Sequence, residues 1–169
     1  FAGRGMMPPI AWLTPRSLVE RVGAWDERLS LNDDGEYFCR VLLSSETIHF
    51  CSEAKVFYRS QIAGSLSRRT SSQAWESALL SHDLCTSHLL ARETSGRTRT
   101  ACADLYQRLA YAMYPDCPDL VKATETKATL YGGSGLPIPS GRLVKFAAAL
   151  VGWKNARRAQ QFWHQRKTN

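Results

Sequence analysis

No stretch of this 169-residue chain approaches the ~20 consecutive apolar residues of a membrane-spanning helix. The longest near the C-terminus, residues 143–153, is short and contains Lys145, so no transmembrane helix is expected. The five cysteines (Cys39, Cys51, Cys85, Cys102, Cys117) include no C-x-x-C pair and are odd in number. That excludes a tidy disulfide framework and suits reduced thiols in a cytosolic compartment. No secretory signal and no fixed-period repeat are visible. The chain opens on Phe1 instead of Met, which reads as a fragment or processed product. Acidic residues are missing altogether from residues 141–169.

That last absence explains the charge balance. The formal net charge is +7, from 22 Lys and Arg against 15 Asp and Glu. Arg142, Lys145, Lys154, Arg157, Arg158, Arg166 and Lys167 supply the whole surplus, leaving the other 140 residues neutral. A neutral body with a basic tail argues against nucleic acid bound over the whole surface. Apolar residues make up 44%, enough for a buried core. The length fits one domain with an appendage.

Along the chain, residues 10–13 read as a short buried strand. Thr14-Pro15 starts a helix carrying Leu18, Val19 and Val22, with Gly23 as its C-cap. Asn32-Asp33-Asp34 starts another, with Tyr37, Phe38, Val41 and Leu42 as its apolar stripe. Residues 47–51 and 55–59, rich in β-branched and aromatic side chains, read as two strands. After the polar stretch 64–72 the period becomes helical, with helices expected near 73–94, 98–113, 118–130 and 141–165. The composition divides the chain into a mixed α/β part, residues 1–70, and a helical extension, residues 71–169.

The most informative run is Asn32-Asp33-Asp34-Gly35-Glu36-Tyr37-Phe38-Cys39-Arg40. Acids at a helix start interact well with the positive end of the helix dipole. Glu36 and Arg40 stand in the favourable i,i+4 order, a surface pair typically worth about 0.2–0.5 kcal/mol. Three carboxylates within four residues also repel one another, and such crowding can raise one toward the range of a general base.

This order of residues resembles the family 2 glycosyltransferases. Arg16-x6-Gly23-x-Trp25-Asp26-Glu27 is followed by Asp33-Asp34-x-Glu36-x3-Arg40, by Val56-Phe57-Tyr58-Arg59 and by Ser65-x-Ser67. The resemblance covers roughly residues 10–68 and implies an α/β architecture. On that reading the chain is the C-terminal, acceptor-side part of a GT-A (Rossmann-like) domain with a mainly helical C-terminal extension. It implies transfer of a sugar from a nucleotide-sugar to a saccharide or lipid-linked acceptor, with inversion, in cell-envelope polysaccharide synthesis. Asp34 falls at the family's general base and Asp33 at the first acid of the pair. Glu36 and Arg40 fall at the residues that shape the site. The family's D-x-D motif and its nucleotide-binding half are missing here. A Mg²⁺ or Mn²⁺ ion and the diphosphate are therefore expected to be held mainly by an N-terminal half outside this chain, which alone transfers no sugar. The missing Q/R-x-x-R-W motif of processive members points to single addition.

Further candidates carry two readings each. Trp25, and less so Trp12, can stack on an acceptor sugar or pack as core. Arg68 and Arg69, beside Ser65 and Ser67, can grip a diphosphate or form a solvated basic loop. His82, Cys85 and His88, three apart on a helix, drift about 120° around it and make a poor zinc site. The tail, residues 141–169, can lie on an anionic membrane surface, placing the protein on the inner face of the membrane, or can pack on the helices before it. A non-enzymatic helical module that binds anionic membrane or nucleic acid through this tail is the alternative to the enzyme.

Overall fold

The computed structural model describes residues 7–57 and 71–168, with side chains as far as Trp163. Among the described residues a short 3-10 turn, Pro9–Ala11, precedes seven α-helices: α1 (Arg16–Val22), α2 (Asp33–Ser44), α3 (Ser72–Arg92), α4 (Gly96–Met113), α5 (Pro118–Leu130), α6 (Arg142–Val151) and α7 (Trp153–Thr168). No strand occurs among the described residues. The expected α/β class, the C-terminal part of a GT-A Rossmann-like domain, is therefore overturned.

The correction has a physical basis. Of residues 10–13, Ile10 and Ala11 belong to the 3-10 turn and the next two are irregular, and Ile10 and Leu13 stay exposed. Residues 47–51 and 55–57 remain irregular, with Ile48, Phe50 and Phe57 all exposed. β-branched and aromatic residues favour a strand only when a neighbouring strand satisfies their backbone and covers one face. Neither segment has such a neighbour among the described residues. The rest of the expected Y-R strand, and with it Arg68 and Arg69, lies outside the described residues.

The helices follow local signals more closely. α1 begins one residue later than Thr14-Pro15 suggests, with Pro15 itself as cap, and ends at Gly23 with φ 78°. That left-handed value is why glycine closes this helix. Ser71 caps α3, its hydroxyl accepting a 3.2 Å bond from the Ala74 amide. The expected helix at 141–165 is instead two, because Gly152 at φ 82° ends α6 and starts the turn into α7.

The chain divides into two compact units, Phe1–Ala101 and Cys102–Asn169. In the first, Leu18 of α1 packs with Tyr37 and Val41 of α2, flanked by Val22 and Phe38. α2 also lies against α3. In the second, Tyr106, Met113, Val121, Thr124 and Ala156 are buried, and the Tyr106 and Tyr131 rings stack at 5.9 Å.

On α3, burial pushes His82 down to about 4, against a smaller opposing effect of Asp83. A histidine lowered in the folded state binds its proton in the unfolded state first, so stability falls as pH drops from about 6.5 toward about 4. The slope approaches one proton, about 1.4 kcal/mol per pH unit. Urea unfolding at pH 7 and pH 5 should show His82→Leu losing about 2 kcal/mol less than the parent over that interval. Equal losses would remove His82 as the cause.

Candidate functional site

The acidic run opens α2, and the fold sends its three carboxylates in three directions. At about 100° per residue, adjacent helical side chains diverge and residues i and i+3 draw closer again. Asp33 is exposed and Asp34 half-buried, while Glu36 is only 2% exposed. The crowding that the sequence suggests is thereby relieved, because the innermost acid has its own cationic partner.

Glu36 is held from two helices. Arg40 grips it bidentately, Nε donating to Oε1 at 2.7 Å and Nη2 donating to Oε2 at 2.9 Å. His88 on α3 places Nε2 3.1 Å from the same Oε1. Arg40 reaches further with its remaining donors: Nη1 bonds the Val22 carbonyl and Nη2 bonds the Ala24 carbonyl at 2.8 Å. The Glu36 carboxylate raises the Arg40 guanidinium above its ordinary value. A pair expected on the surface is therefore an interior clamp that fixes the end of α1 and the start of the α1–α2 loop.

The rest of that loop is stitched to α3. Ser77 Oγ accepts from the amides of Ser30 at 2.7 Å and Leu31 at 3.0 Å. Asn32 sits in the left-handed region at φ 61°, which asparagine tolerates better than most residues. Its Nδ2 donates to Ser81 Oγ at 2.8 Å, and that hydroxyl donates to the Asn32 carbonyl at 2.8 Å. Gly35 follows because space demands it: a Cβ there would lie 2.5 Å from Asn32 Oδ1. The Cys85 thiol donates to the Gly35 carbonyl at 3.7 Å. Its interaction with Cys39, together with burial, pushes the Cys85 thiol up, so it stays protonated.

Asp34 is fixed by its neighbour, since the Gly35 amide donates to its Oδ1 at 2.8 Å. Its other oxygen has no partner among the described residues. Trp25 stacks one face on Tyr37 at 4.5 Å and 4°, with the Phe38 edge 6.2 Å away, and is 40% exposed. Trp12 stacks on Phe38 at 5.2 Å. Asp26 turns onto Arg28, whose side-chain bonds hold that carboxyl down at about 2.

The expected site residues thus separate. Asp33, Asp34, Glu36, Arg40 and Trp25 are gathered around the start of α2. A divalent ion does not fit them: Asp33 and Asp34 diverge, and Glu36 is already bound by two cationic or proton-bearing side chains. No three His, Cys, Asp or Glu residues gather as a metal site among the described residues. Sequence reasoning missed the partner face on α3, where Ser77, Ser81, Cys85 and His88 all engage the loop or α2. The signal was present as a polar row at spacings of four, four and three, one face of a helix. It was obscured because His82, which points elsewhere, suggested a different grouping.

Compared with family models, curated proteins and solved structures, the chain matches none.

Two substitutions measure the clamp and the stitching. Glu36→Gln keeps the shape but leaves Arg40 without its counter-charge, and should destabilise the chain by about 3 kcal/mol. Ser81→Ala removes both bonds to Asn32 and should cost about 1–2 kcal/mol. Urea unfolding with near-ultraviolet circular dichroism at Trp25 measures both. A Glu36→Gln loss below that of Ser81→Ala would show that the ion pair does not anchor the loop.

Proposed function

We propose that the start of α2 is the acid–base element of a glycosyl-transfer site, with Asp34 as general base. In the reaction, one Asp34 oxygen takes the proton of an acceptor hydroxyl as that hydroxyl's oxygen attacks the anomeric carbon of a nucleotide-sugar. The nucleoside diphosphate leaves from the opposite face with the bonding electron pair, which inverts the anomeric centre. The reading rests on the sequence pattern around residues 16–40 and on one geometric observation. Of the three clustered acids, Asp34 alone is both immobilised, through the Gly35 amide, and left with an oxygen open for a proton. A positioned carboxylate of this kind contributes about 10²–10⁴-fold to rate.

The surrounding residues have supporting roles. Glu36 and Arg40 hold the helix start at a set height through the Val22 and Ala24 carbonyls, and so position Asp34. Trp25, one face on Tyr37 and still partly exposed, offers an apolar plane beside the acid for the C–H face of an acceptor sugar. No step is assigned to a metal ion, since the described residues do not gather ligands for one.

The test is a turnover comparison in the natural gene product, using a panel of nucleoside-diphosphate sugars at saturating concentration and scoring the product's anomeric configuration. Asp34→Asn should fall by about two to four orders of magnitude with its melting temperature unchanged. Asp33→Asn should fall less, because Asp33 is exposed and has no side-chain partner among the described residues. Near-parental turnover by Asp34→Asn would remove it as the base. A dead Asp33→Asn with an active Asp34→Asn would move the role by one residue. No product from any donor would overturn the glycosyl-transfer reading itself.

A further inference from the structure

Helices α6 and α7 divide the basic tail into an inner and an outer part. The first turns of α7 are committed inward, although Phe162 and Trp163 further along are exposed: the Trp153 ring meets Tyr111 at 4.8 Å and Tyr114 at 5.0 Å, and Ala156 is buried. Lys154 Nζ donates to Glu125 at 2.6 Å, and Arg158 lies over the Tyr114 ring. α6 is different. Leu143 is 87% exposed, Phe146 68% and Leu150 71%. At about 100° per residue these three fall within about 60° of one another, a single ridge along the helix. Arg142 lies about 40° and Lys145 about 100° beyond the Phe146 edge of that ridge, on the same side, both exposed and without a partner among the described residues.

We propose that α6 is a membrane-surface helix that lies flat on an anionic bilayer, inserting Leu143, Phe146 and Leu150 below the headgroups. Arg142 meets lipid phosphates at its margin, and Lys145, further round on the same side, reaches the headgroup layer through its long stem. The choice of an anionic bilayer over other occupants comes from the pairing of charge with apolar surface. Residues 141–169 hold seven cations and no acid, so nothing in the tail repels an anionic surface. A bare polyanion such as nucleic acid would use the cations but leave the ridge in water. At ten residues, about 15 Å long, α6 is too short to cross a bilayer and suited to lying along one. No helix among the described residues is long and apolar enough to span one. The inference does not rest on the sugar-transfer reading.

Co-sedimentation of the whole chain with vesicles tests it. Phosphatidylcholine vesicles carrying about 30% phosphatidylglycerol should bind the chain at least ~10-fold more tightly than pure phosphatidylcholine, and binding should weaken as salt rises. The exposed-ridge variant Phe146→Ser with Leu150→Ser should lose at least ~10-fold of that binding. Arg142→Gln with Lys145→Gln should lose a comparable part. Both variants alter exposed positions, and far-ultraviolet circular dichroism checks that the helices remain. Equal binding to both vesicle types, or no binding by the parent, overturns the proposal. So does undiminished binding by the ridge variant when the charge variant fails, because attraction alone would then suffice. Vesicle-free self-association that the ridge variant abolishes would assign the ridge to a second copy of the chain and also overturn it.

Discussion

A carboxylate sealed in the interior of the first unit constrains everything around it. Glu36 has almost no contact with water, and an unpaired buried charge is among the most unfavourable features a fold can contain. The bidentate Arg40 fork removes that penalty, but it also brings a second charge inward. Arg40 therefore needs acceptors for its remaining donors and finds them in the Val22 and Ala24 carbonyls. His88 completes the arrangement from α3. One ion pair thus joins the end of α1, the loop after it, the first turns of α2 and the C-terminal part of α3.

The same constraint places Asp34. Because Glu36 must point inward, helix geometry turns Asp34, two residues earlier, to the opposite side, while Asp33 stays exposed at the first turn. The left-handed Asn32 and the close-packed Gly35 allow the chain to enter α2 at this height. Ser77 and Ser81 then hold the loop from the other side, so the helix start rests between two sets of hydrogen bonds. A general base benefits from such immobility, since a carboxylate that wanders loses the positional advantage it contributes. Trp25, stacked on Tyr37, belongs to the same assembly, which links the aromatic packing of α2 to the surface beside the acid.

The second unit illustrates how a basic amphipathic tail can be divided between packing and exposure. Gly152 breaks what would otherwise be one helix, and the break lets the start of α7 turn Trp153 toward Tyr111 of α4 and Lys154 toward Glu125 of α5 within this unit. α6, freed from that direction, keeps its apolar ridge outside. Without the break, a single straight helix would have had to satisfy both demands with one stripe.

The sequence by itself determined most of the helices, because those depend on near neighbours, but not the Gly152 break that divides the one expected at 141–165. The Gly23 stop, the Asn32 start and the apolar spacing of Tyr37 and Val41 all act within one or two turns. The helical stretches after residue 72 were legible for the same reason, and so was the acidic run as a place of interest. The strands expected at 47–51 and 55–59 do not form over their described residues because strand propensity is completed only by a neighbour distant in the chain, and none among the described residues covers them. Tertiary structure alone decided that Glu36, which local spacing marks as a surface partner of Arg40, is an interior anchor. It also decided that His88, 52 residues away, faces Glu36. Burial and long-range pairing are properties of the assembled helices, and no spacing within one helix encodes which of its faces another helix will cover.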